Sequence, residues 1–137
     1  MKKFDIACII EDNLGNIFWL ETIMEDVDFC HHLIIFHNGK EALDQLKALI
    51  ESGGRLPEII FLDLNMPVMD GWEFLDEFTL IPTKKQILIY IVTSSIDPAD
   101  IARTKEYEKI SGYIVKPVTM DNLREILQAA SLKDSIL

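Results

Sequence analysis

Basic residues are scarce in this chain and cysteines scarcer still. Thirteen lysines and arginines stand against 23 aspartates and glutamates in 137 residues, a formal charge of -10. The basic residues form no dense run, so a nucleic acid duplex or an anionic membrane is repelled on average. Neither is expected as a direct partner. The two cysteines, Cys8 and Cys30, have no CxxC spacing, and Cys8 lies in an apolar run; they read as reduced thiols. Long hydrophobic runs are absent too. Met1-Lys2-Lys3 could open a signal peptide, but the apolar segment that follows is only Ile6 to Ile10 and stops at Glu11-Asp12. That is too short for a signal peptide's apolar stretch or a membrane span, and a cytoplasmic protein is expected. Internal repeats, low-complexity tracts and long linkers are missing. With 49% hydrophobic residues, one compact domain over residues 1–137 is expected, leaving no room for an output domain.

What is present is a set of short apolar runs with polar ends. Ile59 to Leu62 carries no alternation and reads as a strand buried on both faces, closed by Asp63. Asn65, Met66-Pro67 and Asp70-Gly71 then take the chain out of the sheet. Ile6 to Ile10 likewise ends in acid, at Glu11-Asp12. Leu33 to Phe36 makes a short strand, Ile87 to Val92 a central one ending at Thr93-Ser94-Ser95, and Tyr113 to Val115 a last one ending at Lys116-Pro117.

Helices fill the intervals. Leu14, Ile17, Leu20, Met24 and Val27 share one face, broadened by Phe18 and Trp19, with Asp12 or Asn13 as cap. Asn38 to Glu41 resembles a capping box before Ala42, Leu43, Leu46, Leu49 and Ile50, and Gly53-Gly54 ends that helix. Asp70 and Glu73 form another capping box, before Phe74, Leu75 and Phe78, and Pro82 limits that helix. Asp97-Pro98 opens a helix predicted to run roughly to Lys109. Thr119 caps the final helix, with Val118 and Leu123 placed to staple its entry, and Asp134 to Leu137 are expected to fray.

Strand and helix alternate five times, which specifies an α/β fold with a doubly wound, five-stranded parallel sheet. Right-handed crossovers and strand order 2-1-3-4-5 set the first and third strands side by side at the switch point. Glu11, Asp12 and Asp63 then meet in one crevice. Such carboxylates repel, so either one holds a proton or a cation sits among them. A hard divalent ion such as magnesium suits oxygen ligands and leaves positions for a phosphoryl oxygen. Thr93 can donate to that oxygen, and Lys116 can neutralise developing phosphate charge. In-line positioning, a metal and fixed positive charge are what phosphoryl transfer needs, with an aspartyl phosphate at Asp63 as product.

Each residue alone has a plainer role. Asp12 and Asp70 serve as helix caps, Asp63 as a turn-forming carboxylate, Thr93 as a loop hydroxyl, Lys116 as a solvated cation and Tyr113 as core. Their convergence on one sheet edge favours the functional reading. His31, His32 and His37 read as structural, since adjacent His31 and His32 point to opposite faces of a strand. Trp19 and Trp72 read as packing residues.

The sequences Glu11-Asp12-Asn13, Asp63-Leu64-Asn65-Met66-Pro67, Met69-Asp70-Gly71, Thr93-Ser94 and Gly112 to Pro117 together resemble the receiver domain of two-component response regulators, over nearly the whole chain. The resemblance implies a flavodoxin-like (βα)5 fold and a phosphoacceptor rather than a turnover enzyme, with self-catalysed phosphorylation and dephosphorylation as its own chemistry. It makes Asp63 the phosphoacceptor and Glu11 and Asp12 the acid pair, with Asp12 the more direct metal ligand. Asn65 offers its backbone carbonyl to Mg2+. Thr93 is the switch hydroxyl, Tyr113 the switch aromatic and Lys116 the phosphoryl contact, with a cis Lys116-Pro117 bond. Glu11 stands where many members have Asp, and its longer arm reaches the metal through water. Asn65 and Ser95 occupy the places where phosphoryl lifetime is tuned.

The implied partners are a sensor histidine kinase or phosphotransfer domain and a downstream protein target, reached through the face of the fourth helix, fifth strand and fifth helix. Dimerisation through that face stays open. Two rivals remain. A magnesium-dependent phosphatase using Asp63 as nucleophile would want a general acid where Asn65 stands. A flavin or nucleotide binder lacks a glycine- or hydroxyl-rich phosphate loop after the first strand.

Overall fold

The computed structural model describes residues 3–94 and 97–136, the last four of these as backbone. Five parallel strands form one sheet in the order β2-β1-β3-β4-β5. They are β1 (Phe4–Ile10), β2 (Cys30–Phe36), β3 (Ile59–Asp63), β4 (Leu88–Thr93) and β5 (Ile110–Val115). The helices are α1 (Leu14–Asp26), α2 (Gly39–Ser52), α3 (Gly71–Phe78), α4 (Pro98–Thr104) and α5 (Met120–Ile136). Ser95, expected to tune phosphoryl lifetime, lies outside the described residues, as do Met1, Lys2 and Leu137.

The unalternating apolar runs are explained by helices on both faces of the sheet. Cys8 and Ile10 of β1, Ile60 and Leu62 of β3, and Ile89 and Ile91 of β4 pack with Leu43, Leu46, Phe74 and Leu75 of α2 and α3. Their neighbours Ala7, Ile9, Ile59, Phe61 and Val92 face the other way, against Ile17, Leu20, Leu123 and Ile126 of α1 and α5. Successive side chains of a strand thus feed two separate apolar layers. Pairing of Ile10 with Leu62, Asp63 with Val92 and Thr93 with Val115 aligns the carboxyl ends of the inner strands along one edge.

Local signals fix the helix starts. Asn13, not Asp12, caps α1 by accepting from Asn16 N at 2.9 Å, which leaves the Asp12 carboxylate out of the cap. Asn38 caps α2 by accepting from Glu41 N, while Glu41 accepts from His37 N rather than from Asn38. The Asp70–Glu73 capping box of α3 is reciprocal. Thr119 and Asn122 exchange bonds at the start of α5, with Val118 and Leu123 buried beneath them.

Two expectations change. The predicted helix to Lys109 stops at Thr104; Tyr107 N donates to Thr104 O and Ile110 N to Tyr107 O, so turns replace the helix and β5 begins three residues earlier than Tyr113. Leu14 and Phe18 are 73% and 72% exposed, because the buried stripe of α1 is narrower than its apolar residues: Ile17, Leu20, Ile23 and Met24 fill it. Helix α5 spans Met120–Ile136.

Candidate functional site

The candidate residues other than Tyr113 sit where a strand stops or just beyond. Glu11 and Asp12 follow β1, and Glu11 N donates to Phe36 O at 3.0 Å, which holds this turn to the end of β2. Asp63 ends β3. Thr93 ends β4 and is fully buried, its carbonyl accepting from Lys116 N at 2.9 Å. Lys116 follows β5, and the Lys116-Pro117 bond is cis.

One carboxylate oxygen from each of Glu11, Asp12 and Asp63 lies within 4.8 Å of the others. Glu11 and Asp63 are buried and Asp12 is exposed. Lys116 Nζ donates to Glu11 Oε1 at 2.6 Å and stands 3.5 Å from Asp63 Oδ2. Asn13 N donates to Glu11 Oε2, and Asn65 N donates to Asp63 Oδ1, both at 3.2 Å. The crevice between β1 and β3 is lined by Glu11, Asn16, Asp63 and Lys116, with Leu20, Phe61 and Val118 as apolar walls.

This setting divides the two buried acids. Burial, reinforced by a hydrogen bond to Glu11 and by its charge, pushes the Asp63 carboxyl up to about 7, against the opposing pull of Lys116 and Asn65 N. Burial also raises Glu11, but hydrogen bonds from Asp63, Lys116 and Asn13 N outweigh it and hold Glu11 below the usual carboxylate range. Without a cation the pair shares a proton, as close carboxylates must. Three converging carboxylates supply only hard oxygen donors, and their convergence fits a small divalent cation.

The loop after Asp63 is held by close contacts. A Cβ on Gly71 would lie 2.6 Å from Asp63 O and 2.8 Å from Leu64 Cα, so only glycine lets α3 begin against the end of β3. Gly39 accommodates Met69 O in the same way and donates to it at 3.2 Å. Between them Val68 adopts φ 70 as Met69 N donates to Pro67 O across it at 2.8 Å, a tight turn costly for a β-branched residue.

The structure thus brings Glu11, Asp12, Asp63 and Lys116 together, with Asn65 joined to Asp63 through its amide. Tyr113 lies on β5, half-buried against the layer that contains Leu62, Leu64 and Ile91. The Glu11–Lys116 pair, the wall formed by Asn16 and the fit of Gly71 were not read from the sequence. The first spans 105 residues, and the others depend on distances that spacing does not encode. His31 and His32 are exposed on edge strand β2. Trp19 donates to Val118 O at 2.7 Å, tying α1 to the start of α5. Among the described residues no helix is long and apolar enough to cross a membrane.

Known proteins resemble this chain in sequence and fold. The probable methanogenesis regulatory protein FilR2 of Methanothrix harundinacea is 29% identical over 124 residues, covering 90% of this chain and 79% of the relative. Response regulator Rcp1 of Synechocystis sp. is 27% identical over 125 residues, covering 90% of this chain and 84% of its own. The solved Mn(2+)-bound form of response regulator Rcp1 matches with TM-score 0.73 and 26% identity, over 91% of this chain and 90% of that one. A two-component response regulator from Cytophaga hutchinsonii matches with TM-score 0.84 and 29% identity, over 93% and 97% of the two chains. The family model for the response regulator receiver domain spans residues 7–128. The chain therefore belongs to the response regulator receiver domain family of two-component signalling.

Proposed function

We propose that Asp63 accepts a phosphoryl group in a Mg2+-dependent reaction, and that residues 1–137 act as one receiver unit whose output is a protein contact. The donor is a sensor histidine kinase or phosphotransfer domain, and the output passes to a downstream protein target. The observation that carries this reading is the convergence of Asp12, Glu11 and Asp63 with Lys116 at the carboxyl edge of the sheet.

An Asp63 carboxylate oxygen forms the new bond to phosphorus as the bond from phosphorus to the donor nitrogen, or to the oxygen of a small acyl phosphate, breaks. The leaving group departs with that electron pair. Asp63 must be ionised to attack, and its elevated proton affinity in the cation-free site opposes this. Glu11, Asp12, Asp63 and the Asn65 carbonyl are the groups that would hold Mg2+, which would offset their charge and favour the ionised Asp63. The Mn(2+)-bound state of Rcp1 supports a divalent ion at such a site.

Lys116, already 3.5 Å from Asp63 Oδ2, supplies a positive charge and a free N–H for a phosphoryl oxygen. Thr93 lies two strands from Asp12 at the same edge and is the hydroxyl that senses the phosphoryl group; Tyr113 on the neighbouring strand carries the change outward. Phosphorylation shifts a two-state population.

The direct test of the roles is Lys116→Ala in magnesium with a small acyl phosphate donor. Magnesium binding is retained while phosphorylation or its propagation to partner binding is lost. Unchanged labelling together with unchanged partner binding contradicts the role given to Lys116. The phosphatase reading gains nothing from the geometry: Asn65, in the place where a general acid would be wanted, meets Asp63 through its backbone amide.

A further inference from the structure

Helix α4 has no buried residue. Its seven residues are too few to sustain a helix alone, although Asp97 caps it at Ala99 N and Pro98 presets its first turn. Besides its contact with β5, it is anchored at the far end. The Arg103 guanidinium lies 4.5 Å from the centre of the Trp72 ring, and the Tyr107 ring stacks on the same indole at 5.6 Å and 24°. Tyr107 also donates from its hydroxyl to Asp76 Oδ1 at 2.5 Å, one helical turn beyond Trp72 on α3. Trp72 is buried and belongs to the layer that holds Leu62, Leu64 and Leu75, and its neighbour Gly71 lies against Asp63 O. Tyr113 borders that same layer.

We propose that Trp72, Arg103, Tyr107 and Asp76 form a latch that fastens α4 to α3 in the unphosphorylated state and sets how readily the receiver is switched on. The inference rests on the reading of Asp63 as phosphoacceptor, with Thr93 and Tyr113 as its reporters. The latch is peripheral and reversible: a cation over an aromatic face and one phenol–carboxylate bond, both at the surface edge of a rigid indole platform. An element with no buried residue, lying beside β5 and tied to α3 at its far end by reversible contacts, is the part of a fold that can change position while the sheet stays intact. Because these contacts favour the resting arrangement, loosening them enlarges the fraction of molecules competent for activation, and apparent affinity for an activating ligand rises with that fraction.

Arg103 and Tyr107 carry the test, since replacing buried Trp72 would also open a cavity. Wild type, Arg103→Ala and Tyr107→Phe are compared by beryllofluoride titration in magnesium, by labelling with a small acyl phosphate, and by hydrogen exchange of the α4 amides without metal. Arg103→Ala should bind beryllofluoride about threefold more tightly and label faster by a similar factor, with Tyr107→Phe changed in the same direction. Arg103→Lys keeps the charge without the planar stack and should fall between. Exchange of the α4 amides should quicken in both variants while the β3 amides stay unchanged. Unchanged or weaker beryllofluoride binding in Arg103→Ala overturns the latch as a switch, and unchanged α4 exchange overturns it as an anchor. If wild type itself forms no magnesium-dependent complex and takes no label, the phosphoacceptor reading fails; faster α4 exchange in Arg103→Ala would then show an anchor without a switch and overturn the proposal on that ground.

Discussion

Lys116 and Glu11 form a partly buried ion pair across 105 residues of sequence, Nζ to Oε1 at 2.6 Å, and this pair leaves Lys116 at 3.5 Å from Asp63. The ammonium neutralises Glu11 more fully than Asp63. Burial first, and then the neighbouring Glu11, raise the proton affinity of Asp63 against the weaker pull of Lys116, while hydrogen bonds from Asp63 and Lys116 hold Glu11 below the usual carboxylate range.

Glu11→Gln therefore has a defined effect on its neighbour. Removing the Glu11 charge takes away a cause of the raised Asp63 affinity for protons, so Asp63 should titrate closer to the ordinary aspartate range in metal-free protein. Carboxyl carbon NMR across a pH series reads this. An Asp63 midpoint that stays put, with the fold intact, contradicts the shared-proton account.

The same proton links stability to pH. Asp63 is raised from 3.8 to about 7 on folding, so the folded state binds more protons between those values and the stabilisation present below 3.8 is lost as pH rises through 7. Asp63→Asn removes the ionisation. In chelator at pH 8 the variant should exceed wild type by on the order of 2 kcal/mol, and the advantage should shrink toward pH 4. Urea unfolding at both pH values measures the difference; an equal advantage at each would detach it from ionisation.

Asp12 is the exposed member of the acidic group and caps no helix. Its replacement by Asn should leave metal-free stability within about 0.5 kcal/mol of wild type. Magnesium at a hundredfold excess over its dissociation constant should stabilise wild type by about 2.7 kcal/mol, and most of that should vanish in Asp12→Asn at the same concentration. Thermal unfolding with and without magnesium gives both quantities. Full magnesium stabilisation in the variant would remove Asp12 from the ligand set.

Gly71→Ala addresses the backbone beneath the site. The added methyl would meet Asp63 O at 2.6 Å and Leu64 Cα at 2.8 Å, atoms that can yield only by moving the end of β3. A loss of about 1–3 kcal/mol is expected, together with weaker magnesium binding because Asp63 moves too. A variant of wild-type stability and affinity would show that the contact relaxes at no cost.

Much of the architecture was legible because the strands are buried on both faces. Ile59 to Leu62 and Ile6 to Ile10 read as unbroken apolar runs, and the acids that close them mark the sheet edge on which the site lies. Asn38, Asp70 and Thr119 carried the helix starts, since a cap acts within four residues. The errors arose where the outcome depends on distant partners. Leu14 and Phe18 match the helical period as well as Ile17 does, and only the width available between α1 and the sheet leaves them in solvent. Arg103 to Lys109 carries no helix breaker, yet Tyr107 leaves the helix to stack on Trp72. Lys116 was legible as a cation at the edge, but its choice of Glu11 over Asp63 was not, because the two acids differ in reach and burial rather than in type.

The central claim, that Asp63 is the residue that takes the phosphoryl group, is tested most directly by intact-mass spectrometry after incubation with magnesium and a small acyl phosphate, comparing wild type with Asp63→Asn. The account predicts a single phosphoryl adduct on wild type that requires magnesium and is absent from the variant, whose fold and solubility are unchanged. An adduct of equal yield on Asp63→Asn, or one that forms on wild type just as well in chelator, would contradict it.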